Sequence, residues 1–371
     1  MKTKSVLFLP FLQIPSGHHQ AANAILNGLK QNQPNVKCEV VDILAYSYGK
    51  IETLVSKIYL GWIQLLPGLY NFIYQHSVYK NIDSTKRYRL YEVLFLYFMR
   101  RLINEKQPDL IICTHALPSY MLNHLKQCGT LNIPVVNVYT DYFINQIWGV
   151  DMIDFHFVPS VRMQRFLQEK GVQEDRIYYT GIPIHDKIKK FNEPIDPSKT
   201  SNPSVLVSGG SLGVGAIEQL LKQITESVVS DRIQFIVLCG KNKRLYEKIK
   251  GLKLANVIPY SYINCMEQMN TLYDQVDAII TKPGGVTITE SLFKRKPIFI
   301  YQALPGQEKI NLEQLKELGV VYPLMSENIC EEILAILCNE KELENYQSCL
   351  ERFHTEIHSK KPAEIIGEWL L

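Results

Sequence analysis

The sequence predicts an α/β chain built as two doubly wound halves, each a mainly parallel sheet flanked by helices. Three observations carry that expectation. The chain opens with a strand, a loop, a helix and a second strand. The stretch Ile279–Glu290 reads as strand, glycine turn and helix. Between them, Phe191–Pro203 is rich in proline, serine and asparagine and marks a linker, after which the opening theme repeats.

At 371 residues the chain has room for two domains. Hydrophobic content of 46% and charged content of 21% fit a soluble globular protein. The formal net charge of +3 is too small to suggest a nucleic-acid partner. The eight cysteines show no Cys-x-x-Cys spacing and sit in strand-like contexts such as Ile112-Cys113-Thr114. That pattern points to reduced core residues in a cytosolic protein, not to disulfides or zinc. No Asp-x-Asp pair supplies a metal clamp. Lys2, Lys4, the apolar Ser5–Leu9 and Ala22-Asn23-Ala24 resemble a signal peptide, but Pro10 and Gly17-His18-His19-Gln20 interrupt it. No apolar run approaches the roughly 18 residues needed to span a bilayer.

Ser5–Leu12 is predicted as a buried parallel strand and Gln20–Gln31 as a helix, with Ala21, Ala22, Ile25 and Leu29 on one face. Val36–Ile43 follows as a strand. His18 falls at the carboxyl end of the first strand, where ligands of such sheets sit. A histidine there can act as a general base near neutral pH, or can simply cap the helix or face solvent.

Tyr46–Arg101 breaks the rhythm. It holds thirteen aromatic residues and eight Lys/Arg against three Asp/Glu. Ile58–Leu66 and Leu90–Leu102 look helical. Apolar helices with a basic face suit the surface of an anionic membrane, and a lipid acceptor there. The alternative is helices packed on the sheet with solvated charges. Further strands are expected at Pro108–Thr114, Ile133–Tyr139, Phe155–Val158 and Ile177–Thr180, with a helix over Val161–Lys170.

The second half opens with the strand Val205–Val207 and the loop Ser208-Gly209-Gly210-Ser211-Leu212-Gly213-Val214-Gly215. The glycines are out of register for Gly-x-Gly-x-x-Gly, so a dinucleotide site is a weak reading. The loop fits a backbone that comes close to a phosphate or sugar. A helix from Ala216 and strands at Gln234–Cys239, Asn256–Tyr260 and Pro297–Tyr301 follow, with a helical C-terminal region from Glu331. In Ile279–Glu290, a helix start behind Gly284-Gly285 offers unpaired N–H groups and a positive dipole end, a ready phosphate site. Glu290 shares a face with Val286 and Thr287 and is placed to bind two sugar hydroxyls. The alternative is an ordinary strand-to-helix turn with an acid in its first turns. Gln307, Glu308 and Asn311 cluster at another helix start, either to read sugar hydroxyls or to cap the helix.

Thr281-Lys282-Pro283-Gly284-Gly285-Val286-Thr287-Ile288-Thr289-Glu290, followed by Pro305-Gly306-Gln307-Glu308-Lys309-Ile310-Asn311, resembles the glycolipid-forming sugar transferases. These are the processive diacylglycerol glucosyltransferases and the monogalactosyldiacylglycerol synthases, of a family-28-like kind. Gly17-His18-His19-Gln20, Thr140-Asp141 with Trp148, Thr180–Ile184 and the Ser208–Gly215 loop match in order, so the resemblance covers nearly the whole chain. It implies a GT-B fold: two Rossmann-like domains facing an interdomain cleft, with a C-terminal helix packing back. The expected division is 1–190 for the acceptor domain, with 46–101 facing the membrane, 191–203 for the linker, 204–345 for the donor domain and 346–371 for the C-terminal helical segment.

The resemblance also implies roles. His18, selected over His19, would deprotonate the acceptor hydroxyl beside Gly17. Ser208, Gly209, Gly210 and Ser211, with Gly284, Gly285, Val286 and Thr287, would hold the diphosphate. Glu290 would bind ribose, the backbone near Tyr262 and Met266 would receive uracil, and Gln307 and Glu308 would contact the transferred sugar. Lys282 adds positive charge or is a surface residue. No metal and no cofactor beyond the UDP-sugar donor is implied. The expected activity is inverting transfer of a hexose from a UDP-sugar to diacylglycerol or its glycoside, by a cytoplasmic protein peripheral on the membrane. A UDP-GlcNAc transferase acting on another lipid-linked or small acceptor, and a non-catalytic nucleotide-sugar-binding protein, are the alternatives. Departures bear on the acceptor: Pro15-Ser16 replaces extra glycine before Gly17, and Asn145 stands near a position often held by histidine.

Overall fold

A computed structural model of the chain describes residues 3–11, 16–49, 87–191, 202–209 and 217–371. Contacts divide it into two units. One comprises Met1–His185, Pro305–Gln307 and Glu356–Leu371, the other Asp186–Leu304 and Glu308–Thr355. Most of the expected linker and of the basic, aromatic 46–101 segment lies outside the described residues, as do Gly210 and Ser211.

In the first unit the order is β1 (Ser5–Leu9), α1 (Gly17–Asn32), β2 (Lys37–Val40), α2 (Ile43–Tyr48), α3 (Arg89–Lys106), β3 (Leu110–Cys113), α4 (Ala116–Gln127), β4 (Val135–Val138), β5 (Phe155–Val158), α5 (Val161–Glu169) and β6 (Ile177–Tyr179). The six strands form one parallel sheet ordered β2-β1-β3-β4-β5-β6. β3 and β4 are buried at every residue, as strands covered on both faces must be. The order reverses between β1 and β3, which opens a crevice outside their carboxyl ends.

The second unit runs β7 (Ser204–Ser208), α6 (Ile217–Glu226), β8 (Gln234–Leu238), α7 (Lys243–Leu252), β9 (Val257–Tyr260), α8 (Met266–Gln275), β10 (Ala278–Thr281), α9 (Val286–Phe293), β11 (Ile298–Ile300), α10 (Gln307–Leu318), β12 (Tyr322–Pro323), α11 (Ile329–Leu337) and α12 (Glu340–Glu356). Its parallel sheet is ordered β12-β11-β10-β7-β8-β9. The reversal here falls between β7 and β10, where Ser208 pairs in register with Thr281. Val205, Val207, Phe235, Val237, Ile280 and Phe299 of the sheet pack against Ile217, Leu221 and Ile333 of the helices to form this unit's core.

The last helix, α13 (Pro362–Leu370), belongs to the first unit. Its Ile365, Ile366 and Leu370 join the core made by Val6, Phe8, Ile25 and Leu29, and Trp369 stacks on Phe155 at 4.2 Å. A Cβ on Gly28 would sit 2.6 Å from that of Ala363, so glycine sets how closely α1 and α13 approach. α12 groups with the second unit as far as Thr355, so the return to the first unit begins at Glu356.

One glycine pins the carboxyl end of β4. The Gly149 carbonyl accepts the Asn137 side-chain amide at 2.7 Å, and its N–H donates to Ser119 Oγ at 3.1 Å. A Cβ there would overlap Asn123 and lie 2.8 Å from the Ser119 carbonyl oxygen. Gly149→Ala is therefore expected to destabilise the first unit by about 1–3 kcal/mol, the usual cost of overpacking. Urea unfolding followed by tryptophan fluorescence measures it, and an unchanged midpoint would refute the crowding.

Candidate active site

Ser16 caps α1 in an extended conformation, and the helix starts at Gly17. His18 is thus the second residue of the helix, above the reversal between β1 and β3. Its Nδ1 lies 2.8 Å from the Thr114 carbonyl oxygen, just past β3, and 2.7 Å from Thr140 Oγ1, just past β4. A carbonyl only accepts, so Nδ1 carries the proton. Nε2 is then left with its lone pair, the form a general base requires. Thr140 Oγ1 also lies 3.4 Å from the Thr114 oxygen, so its own proton has an acceptor.

Burial pushes the His18 imidazole below its ordinary value, and Asp141 and the Thr114 carbonyl only partly offset this. His115, the cap of α4, meets the His18 ring edge-on at 4.8 Å. Its Nδ1 accepts the Leu117 N–H at 3.1 Å. Burial, then His18 and His19, hold it well below the usual histidine range. His19 is lowered in the same way, and its Nδ1 lies 3.3 Å from Ser16 Oγ. The cluster is therefore neutral at pH 7. Asn145, near the missing histidine position, accepts the Ile147 N–H at 3.0 Å and shapes the turn that brings Trp148 onto Tyr139.

In the second unit, Ser208 ends β7 and Gly209 follows it. Facing them in the sheet, Thr281 ends β10, and the turn Lys282–Gly285 leads into α9. Gly284 N–H donates to the Lys282 carbonyl at 2.8 Å, which closes the turn. The backbone N–H groups of Val286 and Thr287 lie in the first turn of α9, where a helix has no internal acceptors to offer them. Ser208, Gly209, Thr281, Lys282, Tyr301 and Gln302 line a crevice at this reversal point.

Glu290 lies one turn into α9. Tyr273 of α8 donates its hydroxyl to Glu290 Oε2 at 2.9 Å. Burial raises the Glu290 carboxyl to about 7, against the pull of that hydrogen bond. Below it, the buried Lys294 ammonium donates to Asn270 Oδ1 at 2.6 Å and Asp274 Oδ1 at 2.7 Å. α8 and α9 are thus tied together by three polar bonds. Met266 begins α8, and Tyr262, in the loop after β9, is 40% exposed with Lys241 Nζ 5.3 Å from its ring. Glu308 accepts the Leu304 N–H at 2.7 Å. Gln307 groups with the first unit and donates its side-chain amide to Asp141.

Thr114, His115, Thr140 and Tyr273 were not among the site residues expected from the sequence. The first three had a signal, being polar residues just past apolar runs. Tyr273 had none, because its hydroxyl gains meaning only from Glu290 on another helix. Among the described residues, no group of three or more His, Cys, Asp or Glu is placed to hold a metal ion.

The monogalactosyldiacylglycerol (MGDG) synthase family matches residues 18–184, and the glycosyltransferase family 28 C-terminal domain matches residues 204–354. An uncharacterized glycosyltransferase of Bacillus subtilis, YkoN, is 40% identical over 98% of this chain and 96% of its own length. A processive diacylglycerol beta-glucosyltransferase of the same organism is 28% identical over 79% of this chain and 77% of its own. The crystal structure of Acinetobacter baumannii MurG aligns over 99% of both chains with a TM-score of 0.61 at 15% identity, a likeness of fold. With two parallel six-stranded sheets in two units and this kinship along its length, the chain belongs to the GT-B glycosyltransferases of family 28, among the relatives of the diacylglycerol glycosyltransferases.

Proposed function

We propose that this glycosyltransferase moves a hexose from a UDP-sugar to the hydroxyl of diacylglycerol or its glycoside, with inversion, at a membrane surface. The observation that carries the reading is the hydrogen bond from His18 Nδ1 to the Thr114 carbonyl, which commits Nε2 to accepting a proton. The activity for which its processive relatives are named, beta-glucosyl transfer to diacylglycerol, supports the acceptor class.

In a single displacement the acceptor hydroxyl gives its proton to His18 Nε2 as its oxygen bonds to the sugar C1. The bond from C1 to the β-phosphate breaks, and its electron pair leaves with UDP. The positive end of α9 and the N–H groups of its first turn would stabilise that charge, a role a divalent cation fills elsewhere. Glu290 would accept the ribose hydroxyls, held at the right angle by Tyr273. The loop Tyr262–Met266 would receive uracil, and Gln307 and Glu308 the hexose. Gly209 with Gly285 lets backbone approach the phosphates.

The membrane reading draws on α3. Leu90, Val93 and Tyr97 lie along one face of it and are 69%, 80% and 67% exposed. The exposed Arg89 and Arg100 add positive charge to the helix. Apolar side chains with cations beside them suit an anionic lipid interface. No helix among the described residues is long and apolar enough to cross a membrane.

The decisive experiment is a screen of UDP-glucose, UDP-galactose and UDP-GlcNAc against diacylglycerol micelles, read by UDP release and product mass. No glycolipid with any donor would overturn the reading. His18→Gln is expected to lower kcat about 10²–10⁴-fold while leaving the KM for the donor nearly unchanged. Because burial lowers the His18 pKa, the acid limb of kcat, measured with the donor saturating, should fall below pH 6.5. Glu290 must be ionised to accept two hydroxyls, and its carboxyl titrates at about 7. UDP affinity should therefore rise with pH through 7 and then level, and Glu290→Gln should flatten that profile. Arg89→Gln with Arg100→Gln should weaken co-sedimentation with anionic vesicles about tenfold or more, at about 1 kcal/mol per cation. Equal binding by the double variant would remove α3 from the interface.

A further inference from the structure

Lys282 stands in the turn between β10 and α9, beside the N–H groups of the α9 first turn. Its side chain is only 23% exposed, so most of its stem is covered. Of the described residues lining the crevice with Ser208, Gly209 and Thr281, it is the sole cation. Its ammonium lies 3.9 Å from Glu308 Oε1, too far for a good hydrogen bond. Glu308 uses its other oxygen to accept the Leu304 N–H at 2.7 Å. Lys294, at the carboxyl end of α9, is the opposite case. Two short hydrogen bonds take two of its three N–H donors, and it is buried and not among the residues lining the crevice.

A lysine held loosely by one carboxylate, with most of its side chain covered and a crevice beside it, is poised to exchange that partner for a stronger anion. A diphosphate is such an anion, and ammonium-to-phosphate bonds are charge-assisted.

We propose that Lys282 binds the diphosphate of the nucleotide-sugar donor, and that Glu308 is the counter-ion from which the phosphates draw it. The inference rests on the donor reading above and adds a residue to it. As the bond from C1 to the phosphate oxygen breaks, the nucleotide gains a negative charge. A fixed cation at the turn then gains more in the transition state than in the ground state. Loss of Lys282 should lower kcat as well as donor affinity.

Calorimetric titration of the full chain with UDP and with uridine separates this role from a structural one. The wild type is expected to bind UDP more tightly than uridine. Lys282→Met should lose about 10- to 100-fold in UDP affinity, the range for a charge-assisted bond, with uridine affinity unchanged. Lys282→Arg should keep most of the UDP affinity. Glu308→Gln, which removes the competing charge, should bind UDP several-fold more tightly. If Lys282→Met keeps the wild-type ratio of UDP to uridine affinity, this inference falls and the donor reading stands. If it loses both ligands equally, Lys282 is structural and the inference also falls. A wild type that prefers UDP no more than uridine overturns the inference together with the diphosphate site.

Discussion

Parallel strands all finish on the same edge of their sheet, and that edge is where the backbone runs out of partners. Both sheets of this chain are parallel throughout. Each therefore collects its turns, helix starts and polar side chains along one carboxyl edge. The crossover order then decides where on that edge a ligand fits. In the first unit the reversal lies between β1 and β3, and His18 reaches Thr114 there. In the second it lies between β7 and β10, and Ser208 and Thr281 stand side by side. The chemistry of each unit gathers at its reversal because connections on either side lead away from it.

Burial then sets the protonation states. An imidazole that loses water becomes harder to charge, and a carboxylate that loses water becomes easier to protonate. His18 moves down and Glu290 moves up to about 7, so both approach the neutral form. For His18 that is an advantage, since a neutral ring with Nδ1 already committed is a ready base. For Glu290 it means that the charge of the carboxyl changes near neutral pH. The partners that restrain these side chains act from behind. The Thr114 carbonyl fixes the tautomer of one, and the Tyr273 hydroxyl fixes the orientation of the other.

Lys294 shows how the second unit keeps α8 and α9 in register. A buried ammonium is costly unless it is paired and fully hydrogen-bonded. Here Asn270 and Asp274 both accept from it, and the Asn270 side chain also bonds Asp274 at 2.9 Å. Because these residues join α8 to the carboxyl end of α9, breaking the network would loosen one helix from the other. The same network reaches the chain entering the unit, since the Lys189 N–H donates to Asn270 Oδ1 at 2.8 Å.

Much of this was legible in the residues themselves. Apolar runs of four to eight residues, punctuated by glycine and polar turns, specify buried strands, because a strand covered on both faces has no room for alternation. The placement of His18 after a first strand and of Gly284-Gly285 before Glu290 follows from the same local grammar. So does the kinship, which rests on motifs in order along the chain. Strand ends were less legible: Ser5–Leu12 was expected, Leu12 lies outside the described residues, and β1 ends at Leu9 because pairing with β2 and β3 stops there. The two-residue β12 had no signal of its own, being a strand only by its pairing with β11. What the tertiary structure alone decided is which atoms meet. The tautomer of His18 depends on a carbonyl 96 residues away, the pKa of Glu290 on burial beside a helix that precedes it, and the freedom of Lys282 on how Glu308 is held. Those are properties of distance and dielectric, and the spacing of residues along a chain records neither.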